Sequence, residues 1–508
     1  MVSAEPLLSD VPATFASASP LAGPSPKKAR LELPGASTAI DWERHLTQEA
    51  KLRTQPTLRK LVTGSASLPG VVGLHGGLPH PSIFPLEGIT LNLKGGATLR
   101  INDPQTVTAA QQYNMTMQGY DPLRQWVKAH TNAQHHPPAS GKHDVLITNG
   151  SNHTLEVLLA MLVGPGGCLL CEEFTYPHVV ESVGIPLGIR LHGVAMDADG
   201  LQPDSLRQVL QGVKDSGAAL PKVLYTIPTG QNPTGAIASL ERKKAVYQIC
   251  QQEDIIILED DPYYYLQFST GPGEQPGLQS LEPSYLSMDV DGRVARLDTF
   301  SKFLVPGLRL GWLTAHPTLL MKCCVTIQGA TVGPPGISQV ITAELMMHWD
   351  KKHELEAQMK HIQGEYARRA GVILQAANTH LQGLAEWVPP RAGMFLWMRL
   401  LHCTDADAIV GELADAGIIV LPGRVGHFQG PCPPGGCPCI RMSYSRATDA
   451  ELEKGITICP VLCRFDGFEQ RQTPGTTAVS RYNPGARMLW QRVCTSVPEQ
   501  RLMLMVQL

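Results

Sequence analysis

A chain of 508 residues, 43% apolar and 17% charged, can bury a large core and has neither a disordered nor a fibrous composition. Its net charge of −3 offers no overall attraction to nucleic acid or an anionic membrane. No apolar run reaches the roughly 18 residues that a transmembrane helix needs, and 12 cysteines without regular spacing or a secretory signal point to a reduced, cytoplasmic setting.

Residues 1–38, rich in Ser, Ala and Pro, read as a disordered leader. The "PSPKKAR" run ending at Arg30 is expected to be a solvated charge cluster, and no arginine-rich amphipathic presequence is evident. "DWERHLTQEAKLRT" predicts a short helix. Residues 39–110 are then expected to form an N-terminal arm with part of a small domain.

A repeating pattern begins near residue 143. The apolar runs "DVLIT" (144–148), "CLLCEE" (168–173), "KVLYTIP" (222–228), "IIILEDD" (255–261), "RVARLDTF" (293–300) and "LRLGWLTA" alternate with helical stretches such as "HTLEVLLAMLV" and "SLERKKAVYQICQQE". Apolar runs of this length between helices predict a mostly parallel sheet covered on both faces, in an α/β large domain over 111–350. A long helix is expected from about 351 to 378. "GMFLWMRL", a helix near 404–416, "GIIVLPG" and "CIRMSYS" suggest a smaller α+β domain over 351–463. The last stretch, 464–508, has no stable periodicity and is expected to be irregular or disordered. "CPPGGCPC", with Cys432, Cys437 and Cys439, lacks a partner CxxC or histidine pair and is expected to be a Pro/Gly-rich loop, with no metal site.

Open α/β sheets bind ligands at the carboxyl ends of their strands. Here "DVLIT" runs into Asn149–Asn152, a Gly-Ser turn entering a helix. "CLLCEE" is followed by Tyr176, "KVLYTIP" by Asn232 in "TGQNPTG", and "IIILE" by Asp260 and Tyr263. Singly, each has a plain reading as a cap, turn or core residue. Together with Lys302 after a Thr/Ser pair, and Arg309 seven residues on, they supply what pyridoxal phosphate (PLP) requires. That cofactor takes a lysine for a Schiff base, a carboxylate for the ring nitrogen, donors for the ring oxygen, hydroxyls and a cation for the phosphate, and a flat ring to stack on.

The order NGSN, Tyr176, PTGQNPTG, DDPYY, TFSK, GLRLGW, RAGMFLWM, IRMSYS resembles the class I/II aminotransferases of PLP fold type I over about residues 40–463. "GGLPHPSIFP", "DDPYYYLQF" and "GMFLW" look most like the branch of fungal aromatic and kynurenine/2-aminoadipate aminotransferases. The resemblance implies that Lys302 carries the cofactor as a Schiff base and acts as the base on the substrate α-proton. Asp260 would pair with the ring nitrogen, Asn232 and Tyr263 with the ring oxygen, and Tyr176 would stack on the ring. Ser151, Asn152, Thr299 and Arg309, assisted by Ser301, would hold the phosphate. Arg441 would take the substrate α-carboxylate. Tyr113 would reach the phosphate of a neighbouring subunit, implying a homodimer with shared sites, and Arg53 would lie on a mobile N-terminal segment near the substrate.

The implied reaction moves an amino group from an aromatic amino acid, kynurenine or 2-aminoadipate to a 2-oxo acid such as 2-oxoglutarate, by a ping-pong scheme and with no nucleic-acid or membrane partner. Two alternatives stay open. The same fold hosts lyases and synthases, and aminotransferase-like domains occur in non-enzymatic regulators.

Overall fold

The computed structural model describes residues 40–462, apart from 66–68, 71, 73, 114–115, 139–140, 270–272, 274 and 431–434. The leader expected over 1–38, the tail expected over 464–508 and Cys432 lie outside the described residues.

A seven-stranded sheet organises the site. Its strands are β1 (Asp144–Thr148), β2 (Cys168–Glu172), β3 (Arg190–Val194), β4 (Val223–Thr226), β5 (Ile256–Asp260), β6 (Val294–Thr299) and β7 (Gly311–Ala315), in the spatial order β1-β7-β6-β5-β4-β2-β3. Pairings from β6 through β5, β4 and β2 to β3 are parallel. β7 runs antiparallel to both β6 and β1. Every residue of β4 to β7 is buried. That is why these strands read as unbroken apolar runs and not as alternating ones: helices cover both faces of the sheet. Two of them are α1 (Ser151–Leu162), leading from β1 towards β2, and α2 (Leu240–Gln252), joining β4 to β5. The edge strand β3 carries a Gly, an Arg and a His in five positions and gave no apolar signal.

The antiparallel β7 explains where Arg309 sits. The run "LRLGWLTA" predicts a strand through Arg309, but the strand begins only at Gly311. Before it, Pro306–Leu308 form a single 3-10 turn, and Arg309 takes a left-handed conformation with φ of 54°. A reversed strand starts where its parallel neighbours end, so Gly311 lies opposite both Thr299 of β6 and Thr148 of β1. A side chain at Gly311 would meet Asp298 O at 2.6 Å and Gly150 Cα at 3.2 Å. Glycine there lets the start of α1 close onto β7.

Beyond the sheet, helix α3 (Gly336–Lys352) ends at His353, with φ of 55°, and α4 (Leu355–His380) begins two residues later. The helix expected from about 351 is thus broken at its first turn, where Lys351 and Lys352 favour the carboxyl end of α3. A second, antiparallel sheet contains β8 (Ala385–Trp387), β9 (Phe395–Leu400), β10 (Leu421–Pro422) and β11 (Cys439–Ser443), in the order β8-β9-β11-β10. Of "GIIVLPG" only Leu421 and Pro422 are strand. The last helix among the described residues, α5 (Asp449–Leu462), packs along α4. One apolar cluster runs continuously through both sheets, from Leu158 and Leu258 to Leu396 and Ile440. The predicted "DWERHLTQEAKLRT" helix is two short ones, Trp42–His45 and Gln48–Leu52, capped by Asp41 and Thr47. Among the described residues, no helix is long and apolar enough to cross a membrane.

Candidate active site

The carboxyl ends of β1, β4, β5 and β6 and the start of β7 share one edge of the sheet, and the chemistry gathers there. At the β1 end, Gly150 (φ of 95°) turns the chain into α1 without any side-chain cap, so the first N–H groups of that helix keep their donors for a ligand. Ser151 and Asn152 form this first turn. A Cβ on Gly150 would lie 3.2 Å from Arg309 Nη2, so the guanidinium stands directly over the helix terminus. Arg309 Nη1 donates to Pro306 O at 2.9 Å, which fixes the side chain from below. Thr299 Oγ1 accepts from Ser301 N at 3.1 Å and lies 3.0 Å from Ser301 Oγ. A helix terminus, an arginine and paired hydroxyls make an anion cradle.

Lys302 follows directly. Burial lowers its pKa most; Asp260 opposes that shift, and the nearby cations Arg309 and Arg441 add to it. Its Nζ lies 5.9 Å from the centre of the Tyr263 ring. Asp260 is buried at the end of β5, and Tyr225 donates to its Oδ2 at 2.8 Å. Oδ1 is buried without a protein partner. Burial pushes the Asp260 carboxyl up to about 6, against the hydrogen bond from Tyr225 and the charges of Arg296 and Lys302. Tyr263 is buried edge-on to Phe395 and its hydroxyl is pushed up, again chiefly by burial. Asn152 Nδ2 donates to Tyr176 Oη at 3.3 Å, linking the anion cradle to the ring expected to stack.

Arg441 arrives from β11 of the second sheet. Its Cζ lies 4.2 Å above the Phe395 ring, and its Nη1 donates to Asn232 Oδ1 at 2.6 Å. Its Nε is buried and unpartnered. Asn232 precedes Pro233 through a cis peptide in the turn after β4. Lys302, Asp260, Tyr263, Tyr176, Asn232, Arg309 and Arg441 are therefore tied together by direct contacts or mutual charge.

Two expected residues stand apart. Arg53 pairs with Glu49 on its own helical turn, and its carbonyl accepts from Lys322. Tyr113 is 52% exposed, beyond the helix Pro104–Gln111, and makes no contact with Lys302 or Arg309 in the described residues.

Three buried residues near this edge escaped the sequence reading. Tyr225 sits inside an apolar run, yet it pairs with Leu258, two residues from Asp260, and so shares Asp260's face of the sheet. Glu172 ends β2, and burial pushes its carboxyl up to about 7. Gln231 reaches from the turn back to Glu172 Oε2 at 3.0 Å. Behind Asp260, Arg296 is wholly buried among Glu259, Asp261 and Asp298 at 2.9 to 3.1 Å.

A largely parallel seven-stranded sheet with a lysine, a carboxylate and an anion cradle on one edge is the architecture of the fold type I PLP enzymes. The chain belongs to the family described as aminotransferase class I and II, which matches residues 104–458, and it is a PLP-dependent transaminase. An aromatic amino acid aminotransferase of Schizosaccharomyces pombe is 35% identical over 412 residues, 74% of this chain and 86% of its own length. The mitochondrial kynurenine/alpha-aminoadipate aminotransferase of Mus musculus is 33% identical over 427 residues, 82% and 97% of the two chains. The crystal structure of aminotransferase Aro8 from Candida albicans superposes with a TM-score of 0.76 at 28% identity, over 84% of this chain and 98% of that one.

The residues present fit PLP. The orphaned Asp260 Oδ1 suits a protonated ring nitrogen, the uncapped α1 terminus with Arg309 suits a phosphate, and Lys302, with its lowered pKa, suits an aldehyde.

Proposed function

We propose that this chain transfers the amino group of an aromatic amino acid, kynurenine or 2-aminoadipate to a 2-oxo acid such as 2-oxoglutarate, by ping-pong kinetics. The observation that supports this best is a pair of buried, unpartnered polar atoms in one contact network: Asp260 Oδ1, suited to the cofactor, and Arg441 Nε, suited to a substrate carboxylate. The substrate class follows the relatives' names.

PLP, when bound, supplies an electron sink for the charge left on the substrate α-carbon. The chain's own residues do the rest. Ser151, Asn152, Thr299 and Arg309 hold the phosphate, with Ser301 setting Thr299. Asp260 keeps a proton on the ring nitrogen. Tyr263 and Asn232 Nδ2 donate to the ring oxygen, and Tyr176 stacks on the ring. Arg441 takes the α-carboxylate through a two-pronged pair. Lys302, whose burial favours the neutral amine, would hold the aldehyde, and its Nζ is the group placed to take the substrate α-proton.

A homodimer belongs to this reading, with Tyr113 serving the neighbouring phosphate. It is supported by the exposed Tyr113 and by exposed Leu52, Leu58, Leu74 and Ile83 on the N-terminal segment. Arg53 is placed near the substrate only if that segment moves and its pair with Glu49 opens. A large domain over 111–350, a small one over 351–463, and residence in the cytoplasm complete the reading. Cys168, Cys171, Cys250, Cys323, Cys324, Cys437 and Cys439 are free thiols, which suits a reducing compartment.

A panel of amino donors with 2-oxoglutarate tests the function. The expected outcome is glutamate and the donor's 2-oxo acid in equal amounts, with the aromatic, kynurenine or aminoadipate donors preferred. Release of ammonia without glutamate would overturn it.

A further inference from the structure

Glu172 is a fully buried carboxylate that no step above uses. Its surroundings are all donors. Thr226 Oγ1 donates to Oε1 at 2.6 Å, Ile227 N donates to Oε1 at 3.1 Å, and Gln231 Nε2 donates to Oε2 at 3.0 Å. Among the described residues, no arginine or lysine pairs with it. A group that only accepts, on two oxygens, is what such a site demands; an amide in its place would turn a donor towards a donor.

The second half of the strut is Gln231. Its Nε2 also donates to Phe174 O at 2.6 Å, and its Oε1 accepts from Thr234 N and Thr234 Oγ1, both at 2.8 Å. One amide therefore ties the end of β2 to both sides of the turn that carries Asn232. The orientation of Asn232 matters because arginine has no acceptor. Oδ1 must face Arg441, so Nδ2 faces the other way.

We propose that Glu172 is a positioning residue: acting through Gln231, it sets the angle at which Asn232 bridges Arg441 and the cofactor's ring oxygen. This rests on the site reading above. Removing the strut should let Asn232 swing, weakening the grip of Arg441 on the substrate and the donor to the ring oxygen together.

The experiment uses the PLP-loaded enzyme and the variants Glu172→Gln, Gln231→Ala and the two combined. Four quantities are read: KM for the amino donor, kcat, the pH midpoint of the cofactor absorbance band, and Tm. Each single variant should raise KM on the order of tenfold, the value of one hydrogen bond, with a smaller change in kcat. Each should also shift the spectral midpoint upward by roughly half a unit or more. The double variant should be no worse than the worse single one, because both cut one path. If Glu172→Gln fails to fold, Thr226→Val, which removes one donor from the same carboxylate, should give a smaller shift in the same direction. A lowered Tm with KM and the spectral midpoint unmoved would overturn the proposal, as would additive effects in the double variant. Should the wild type show no cofactor band, or Lys302→Ala keep it, the site reading itself fails instead.

Discussion

Asn232 Oδ1 accepts a 2.6 Å hydrogen bond from Arg441 Nη1, joining the turn after β4 to strand β11 across 209 positions of sequence. Arg441 is held from a second side by the Phe395 ring, and its Nε is left unpartnered. The guanidinium is thus held in place in advance, which would lower the ordering cost of the proposed carboxylate binding.

Removing either partner should therefore act on substrate binding. Arg441→Lys keeps the charge but loses the planar fork. A hydrogen bond to a charged group is worth about 1.5–3 kcal/mol, so KM for the amino donor should rise about ten- to a hundredfold. Asn232→Ala should raise KM towards the lower end of that range, because Arg441 stays but loses its guide. Saturation curves against the donor read both effects, and an unchanged KM in Arg441→Lys would show that the carboxylate binds elsewhere.

Lys302→Ala should abolish turnover and the Schiff-base absorbance of the loaded enzyme. Cofactor should still bind, because the α1 terminus and Arg309 do not depend on the lysine. Equilibrium dialysis and absorbance separate the two properties. Retained turnover would remove Lys302 from the chemistry.

How much of this was legible in the sequence follows the range of the interactions involved. Lys302, Asp260 and Asn232 each lie at or within four residues of the end of an apolar run, so a local rule finds them. Arg309 was visible as a residue, but its left-handed turn was not. That turn exists because β7 is antiparallel, a property of the whole sheet. Tyr225, Glu172 and Gln231 were hidden for a related reason. A tyrosine within an apolar run looks like core, and only the register that sets it beside Leu258 puts its hydroxyl on Asp260. Arg53 shows the converse. The resemblance places it near the substrate, while its side chain pairs with Glu49, one helical turn away.

With Asp260 in the proposed role, cofactor binding should depend on pH. The Asp260 carboxyl, pushed up to about 6 by burial, is ionised above that value and neutral below it. Pairing with a protonated ring nitrogen needs the carboxylate, so below pH 6 binding must release a proton. The Kd for PLP in the apoenzyme should be flat above about pH 6 and rise up to tenfold per unit below it. Tyr225→Phe removes a bond that favours the carboxylate, so its break should move to higher pH. The cofactor phosphate also titrates near 6. Asp260→Asn provides the control, because whatever break it keeps belongs to the phosphate. Fluorescence titration of PLP into the three apoenzymes measures this.

Arg296 gives the clearest stability prediction. It is wholly buried and ion-paired with Glu259, Asp261 and Asp298, with its Cζ 4.6 Å over the Tyr264 ring. Burial raises the Glu259 carboxyl and pushes Asp298 up to about 7, and in both the Arg296 charge pulls the other way. Arg296→Met removes the one cation ion-paired with all three buried carboxyls, and breaking such a set costs about 3–5 kcal/mol. The sign with pH follows from linkage. A carboxyl whose folded pKa lies above its unfolded one loses stability as pH rises between the two values. Without Arg296 the folded values of Glu259 and Asp298 climb further, so the deficit should be largest above pH 7. It should shrink towards pH 5, where Asp298 is protonated and less charge is left to compensate. Urea unfolding of wild type and variant at pH 5 and pH 8 checks this through the shift in midpoint. A deficit that is equal at both pH values would mean that lost packing on Tyr264, and not charge, sets the cost.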